Sequence, residues 1–108
     1  MANELSVVRG TLDLLVLKAL DSAEMHGFEV TSWIETRTGG ELEFDDSAVY
    51  QSLYRLEKRA LVESDWGVTE NNRRARYYRI SRAGQRHLEA ETARLLRYTK
   101  TVAGILTA

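Results

Sequence analysis

Apolar residues recur along this chain with two periods, 3.6 and 2, and the switches between them outline the fold. From Ser6 to Asp21, Val8, Leu12, Leu15, Val16 and Ala19 keep helical spacing, and Leu14, Leu17 and Leu20 widen the stripe. A helix apolar on most sides is normally packed between partners, and a second subunit can be one of them. His26 to Thr38 predicts a second helix, with Phe28, Val30, Trp33 and Ile34 on its apolar side and Gly39-Gly40 as its stop. Glu41 to Phe44 alternates polar and apolar, the pattern of a short strand. A third helix runs from an Asp45 or Asp46 cap to about Ala60, with Val49, Leu53, Leu56 and Ala60 on one stripe. Leu61–Trp66 and Arg73–Ile80 read as two strands joined by the turn-rich Gly67–Asn72, and Ser81 is suited to cap a last helix. In that helix Leu88, Thr92, Leu95, Thr99, Val102 and Leu106 alternate steps of four and three, a heptad-like seam that predicts dimerisation. The expected class is α+β, mostly α.

The third helix carries a second pattern on its other side. Ser47, Gln51, Tyr54, Arg55 and Lys58 gather there, polar at the start and cationic toward the end. A helix fits a DNA major groove, and residues near its N-terminus then meet base edges, so Ser47, Gln51 and Arg55 are the expected base readers. Tyr54 and Lys58 would hold phosphates. Tyr50, at the edge of the apolar stripe, suits either a phosphate contact or a half-buried packing role.

Total charge is −1, but its distribution is uneven. Residues 1–50 hold ten acids and three bases, and residues 51–108 hold six acids and twelve bases. Six arginines and no acid lie between Arg73 and Arg86. Such a directional field marks a polyanion binder, and Arg73, Arg74 and Arg76 sit where a hairpin tip reaches a minor groove or flanking phosphates.

Other chemistry is thinly represented. The chain has no cysteine and no proline, which removes disulfides and thiolate metal sites and fits a reducing cytoplasm. The start lacks the basic region of a signal peptide, and the apolar run Leu12–Leu20, broken by Asp13 and Lys18, is too short to span a bilayer. His26 and His87 have no metal-type neighbours at matching spacing, and Glu41, Glu43, Asp45 and Asp46 lack a calcium loop's oxygen spacing. Trp33 and Trp66 are packing residues by default. No catalytic triad, phosphate loop or zinc motif is present, so neither an enzyme nor a cofactor is expected.

Four segments in order carry a family resemblance. They are GTLDLLVL at 10–17, HGFEV at 26–30, VYQSLYRLE at 49–57 and RYYRISRAG at 76–84. Together they resemble the PadR-type transcriptional regulators of the short kind. The resemblance implies a winged helix-turn-helix over residues 1–82 with a two-stranded wing, and a dimerisation helix over 83–108 whose seam is Leu88, Leu95, Val102 and Leu106. It further implies a cytoplasmic homodimer, usually a repressor, on a palindromic double-stranded DNA operator. Some such proteins respond to a small hydrophobic effector between subunits; a protein–protein module without DNA function is the remaining alternative. The chain departs from the family pattern at Ser47-Ala48 and at Gln51, which stands where proline is common. Gln51 restores a backbone N–H and adds an amide able to pair with an adenine edge. Ala60 stands where glycine is usual, which implies a less sharp helix end.

Overall fold

The computed structural model describes residues 5–6 and 10–108. In order, the elements are β1 (Leu5–Ser6), α1 (Thr11–Ser22), β2 (Met25–His26), α2 (Gly27–Thr38), β3 (Leu42–Glu43), α3 (Asp46–Lys58), β4 (Val62–Val68), β5 (Arg74–Ile80) and α4 (Arg82–Leu106). β1 pairs in parallel with β3, and β5 lies between β2 and β4 in an antiparallel sheet. This is the winged-helix architecture expected, with β2 as a third, short strand added to the wing hairpin.

Local chemistry sets most boundaries. α1 does not begin at Ser6: that residue pairs with Glu43 in β1, and Gly10 takes φ 87°, a left-handed turn that a helix does not contain. Val8 lies outside the described residues. His26 starts α2 with a capping box, its Nδ1 accepting the Glu29 N–H at 3.3 Å while its own N–H donates to the Glu29 carboxylate at 3.1 Å. Asp45 caps α3 by accepting the Ala48 N–H at 2.9 Å. The Ser47 hydroxyl, with that N–H, holds the exposed Asp45 carboxyl below its ordinary value.

The end of α3 corrects the expectation for Ala60. This residue is exposed, not part of the buried stripe, and has φ 60°. The Leu61 N–H donates to the Leu56 carbonyl at 2.9 Å and the Ala60 N–H to the Glu57 carbonyl at 3.0 Å. Those two bonds are a Schellman motif, so the helix stops sharply with alanine in the left-handed position that glycine usually fills.

The core is one cluster. Val16 and Leu17 of α1, Val30 and Ile34 of α2, Val49, Leu53 and Leu56 of α3, and Val62 of β4 are all buried. α1 touches α2, α3, α4 and β5, as its wide apolar stripe requires. Ser81 caps α4 through the Gly84 N–H at 3.0 Å and donates its hydroxyl to the Ala60 carbonyl at 2.8 Å. A side chain at Gly84 would collide with the Leu61 carbonyl, so the start of α4 is pressed onto the α3–β4 junction.

Leu88 belongs to this core, 8% exposed, which takes it out of the candidate dimer seam. Packing is therefore continuous across residue 82. α4 is exposed on every side from Leu96 onward. Its 25 residues span about 37 Å. The radius of gyration is 15.1 Å, against about 13 Å for a compact chain of this length.

Ala60→Gly is expected to raise the unfolding free energy by about 1 kcal/mol by relieving the left-handed alanine. Gly84→Ala is expected to lower it by about 1–3 kcal/mol through collision with backbone. Urea denaturation midpoints at unchanged slope read both.

Candidate nucleic-acid interface

The apolar stripe of α3 is buried, so its opposite side faces outward. Ser47, Tyr50, Gln51, Tyr54, Arg55 and Lys58 are all exposed there. Their surroundings divide them. Gln51 makes no side-chain hydrogen bond among the described residues and is free to meet a ligand. Lys58 lies over the Tyr54 ring, 5.3 Å from its centroid, which steers the ammonium without neutralising it. The Ser47 hydroxyl donates to Asp45 at 2.7 Å, so its proton is committed to the cap and its oxygen remains as an acceptor.

Arg55 is the residue whose surroundings differ most from the sequence expectation. Its Nη2 donates to Asp13 on α1 at 2.7 Å, and its Nε to the same carboxylate at 3.5 Å. Asp13 holds the guanidinium firmly in its charged form. The same carboxylate accepts the hydroxyl of fully buried Ser52 at 2.6 Å. The trio locks α3 to α1, and Arg55 lies on the flank of the outward face, already paired. Asp13 and Ser52 were not among the sequence candidates, because forty residues separate partners that only helix packing brings together.

The wing is two-faced. The hairpin register sets Trp66 opposite Arg76 and Glu63 opposite Arg79. Strand alternation then puts Trp66, Arg74 and Arg76 on one face and Glu63, Asp65 and Arg79 on the other. Arg79 is ringed by carboxylates, Asp65 at 2.7 Å, Glu63 at 3.2 Å and Glu24 at 3.8 Å. The run of arginines seen in the sequence is thus partly neutralised. The other face keeps its charge: Arg73, Arg74 and Arg76 have no ion pair among the described residues. Arg74 and Arg76 stack on Trp66, 4.6 and 5.2 Å from its ring centre. Arg76 is further aligned by the Ser64 hydroxyl at 2.9 Å, which itself donates to Glu57 of α3 at 2.6 Å. This relay ties the wing to the end of α3. Burial, with the Glu57 charge, pushes the nearby Tyr78 hydroxyl above its ordinary value.

The described residues hold no cluster of metal-ligating side chains and no helix long and apolar enough to cross a membrane.

A sequence profile of the transcriptional regulator PadR-like family matches residues 16–90. The chain belongs to the PadR-like family of transcriptional regulators. It is 28% identical over 82 residues to Uncharacterized protein X of Lysinibacillus sphaericus, covering 76% of this chain and 75% of that one. Among solved structures it resembles a transcriptional regulator from Clostridium thermocellum, with 26% identity, a TM-score of 0.78 and coverage of 87% and 88% of the two chains. It also shares its fold with Bacillus subtilis PadR in complex with operator DNA, at 18% identity and a TM-score of 0.69, over 79% of this chain and 48% of that one.

Within this PadR-like chain the Asp13 trio is a stability element. Asp13→Ala leaves the buried Ser52 hydroxyl unpaired and is expected to cost about 1–3 kcal/mol. Arg55→Ala removes a half-exposed ion pair and is expected to cost less than about 1 kcal/mol. A double-mutant cycle of the two in urea measures their coupling.

Proposed function

We propose that this PadR-like regulator binds double-stranded operator DNA as a homodimer and represses transcription by occupying the site. The observation that carries this reading is the outward face of α3 beside the free arginine face of the wing. Ser47, Gln51 and Tyr54 sit where a major groove would meet them, and Lys58 with Arg73, Arg74 and Arg76 supplies cations for the phosphates on either side. Gln51 is the principal base reader, and Tyr50 contributes a hydroxyl to the backbone. Arg55, paired with Asp13, sets the pose of α3. The fold shared with Bacillus subtilis PadR, which is bound to operator DNA in its structure, supports the same arrangement.

Homodimerisation is supported by the far half of α4. Leu96, Tyr98, Ile105 and Leu106 are between 62% and 77% exposed, and Val102 is 37% exposed. An apolar surface of this extent on a projecting helix is typically covered by a partner. Leu95, half-buried, lies at the near end of that surface, which with Val102 and Leu106 forms the contact. Two-fold symmetry places the half-sites of a palindromic operator roughly 34 Å apart. Such a repressor acts in the cytoplasm.

A second reading adds an effector. α1 and α4 enclose a largely apolar groove of about 820 Å³, with Leu14, Leu15, Leu88 and Leu96 along it. A small hydrophobic compound there touches both the dimer helix and the helix that holds α3. It would release DNA only through different affinities for the two arrangements.

Gel retardation with the protein's own promoter tests the main reading. Affinity is expected to fall with salt on a log–log slope of about −0.9 per neutralised phosphate. Gln51→Ala is expected to relax discrimination at one base pair by about 1–3 kcal/mol. No salt-sensitive shift with any duplex would overturn it.

A further inference from the structure

The arginines of α3 and the wing are held in two different ways, and the difference decides what each can still bind. Arg55 and Arg79 are gripped by carboxylates, Asp13 at 2.7 Å and Asp65 at 2.7 Å. A guanidinium in such a pair has its charge answered inside the protein. Arg76 makes no ion pair among the described residues. Its Nε donates instead to the Ser64 hydroxyl at 2.9 Å. Its guanidinium carbon lies 5.2 Å from the centre of the Trp66 ring. One N–H and one face of the group are thus engaged by neutral partners. The two terminal nitrogens make no hydrogen bond among the described residues.

The Ser64 hydroxyl can serve Arg76 only because of a third residue. A hydroxyl has one proton to donate, and its lone pairs accept only when that proton points elsewhere. Here the proton goes to the Glu57 carboxylate at 2.6 Å, so the oxygen is left as a fixed acceptor for Nε. Glu57 lies in the last turn of α3 and is half-buried. The three residues share one local field with half-buried Tyr78. Burial and the Glu57 charge push the Tyr78 hydroxyl above its ordinary value, and Arg76 acts against them. Tyr78 therefore stays a neutral phenol and brings no second anion to Arg76. The carboxylate orients the guanidinium through a hydroxyl rather than touching it, which fixes the cation without pairing it.

We propose that Glu57 and Ser64 are positioning residues for Arg76, holding its guanidinium so that the terminal N–H groups meet a phosphate of the DNA that α3 binds. The proposal rests on the DNA-binding reading above and adds to it two side chains that act through Arg76. An exposed arginine ordered in advance loses less freedom when it binds, so the relay contributes affinity before any new contact forms. It also begins on α3 and ends on the wing, which fixes the distance from the recognition helix to that phosphate contact.

The test compares two β-branched residues at one strand position, Ser64→Val without the hydroxyl and Ser64→Thr with it. Affinity is read by fluorescence anisotropy with a labelled fragment of the protein's own promoter. Ser64→Val is expected to weaken binding roughly 2- to 12-fold, and Glu57→Ala to match it. Ser64→Thr is expected to restore what Ser64→Val loses. Arg76→Gln is expected to flatten the salt slope by about 0.9 per subunit. In that Arg76→Gln background, Ser64→Val and Glu57→Ala are each expected to cost less than about 2-fold, since their partner is gone. A merely structural role would instead cost the same factor with and without Arg76. A second measurement needs no DNA: solvent exchange of the Arg76 Nε–H, followed by NMR, is expected to be slow in the unmodified chain and Ser64→Thr and fast in Ser64→Val. Equal affinity of the Val and Thr variants, an equal loss in both backgrounds, an unchanged slope in Arg76→Gln, or equal exchange in all three proteins overturns the positioning role while leaving DNA binding by α3 standing. Absence of salt-sensitive binding by the unmodified protein overturns both.

Discussion

Everything on the functional side of this molecule depends on how α3 is rotated about its own axis. Val49, Leu53 and Leu56 are fully buried in one cluster with Val16 and Leu17 of α1. Each such side chain contributes about 1.5–3 kcal/mol when taken from water. A turn of the helix by one residue, about 100°, would expose this stripe and bury either Tyr50 and Tyr54 or Arg55 in its place, so the burial term alone fixes which residues face outward. The Asp13–Ser52–Arg55 trio adds direction to that constraint. Dispersion and hydrophobic burial tolerate small rotations, whereas three hydrogen bonds to one carboxylate do not. The apolar stripe chooses the face, and the polar trio sets its angle.

The wing obeys a comparable division of labour. Its strand register puts unlike chemistry on its two sides, carboxylates around Arg79 on one and an aromatic-backed pair of free arginines on the other. Through Ser64 and Glu57, Arg76 is coupled to the end of α3, and Arg74 stacks on the same Trp66 ring as Arg76. That geometry explains how a chain of net charge −1 can still offer a strongly cationic face. A uniform field would pull in any polyanion in any pose; a one-sided field orients the encounter.

Much of this was legible in the sequence because it is local. Helical period, capping residues at His26, Asp45 and Ser81, and the turn between the wing strands are all set by neighbours along the chain. What escaped was non-local. Asp13 reads as an ordinary polar break in an apolar helix until α3 is packed against it. Arg79 reads as one of six arginines until the hairpin register puts Glu63 across from it. Leu88 fits a heptad seam by spacing, but spacing does not tell whether a seam meets a partner or its own core. β2 is two residues long, too short for any periodic signal. Trp66 was the one recoverable miss: alternation along β4, laid against β5, puts it on the face of Arg74 and Arg76. Ala60 shows a different limit, since a backbone demand met by the wrong residue type leaves no trace in a propensity pattern.

The account's central claim is that the outward face of α3 and the arginine face of the wing form one continuous DNA surface. Backbone amide shifts of the isotopically labelled protein, titrated with a promoter duplex, test it most directly. The claim predicts the largest changes at Ser47–Lys58 and Arg73–Arg76, with little change along the last three turns of α4. Changes concentrated on α4, or on the Glu63–Asp65–Arg79 face of the wing, would contradict it.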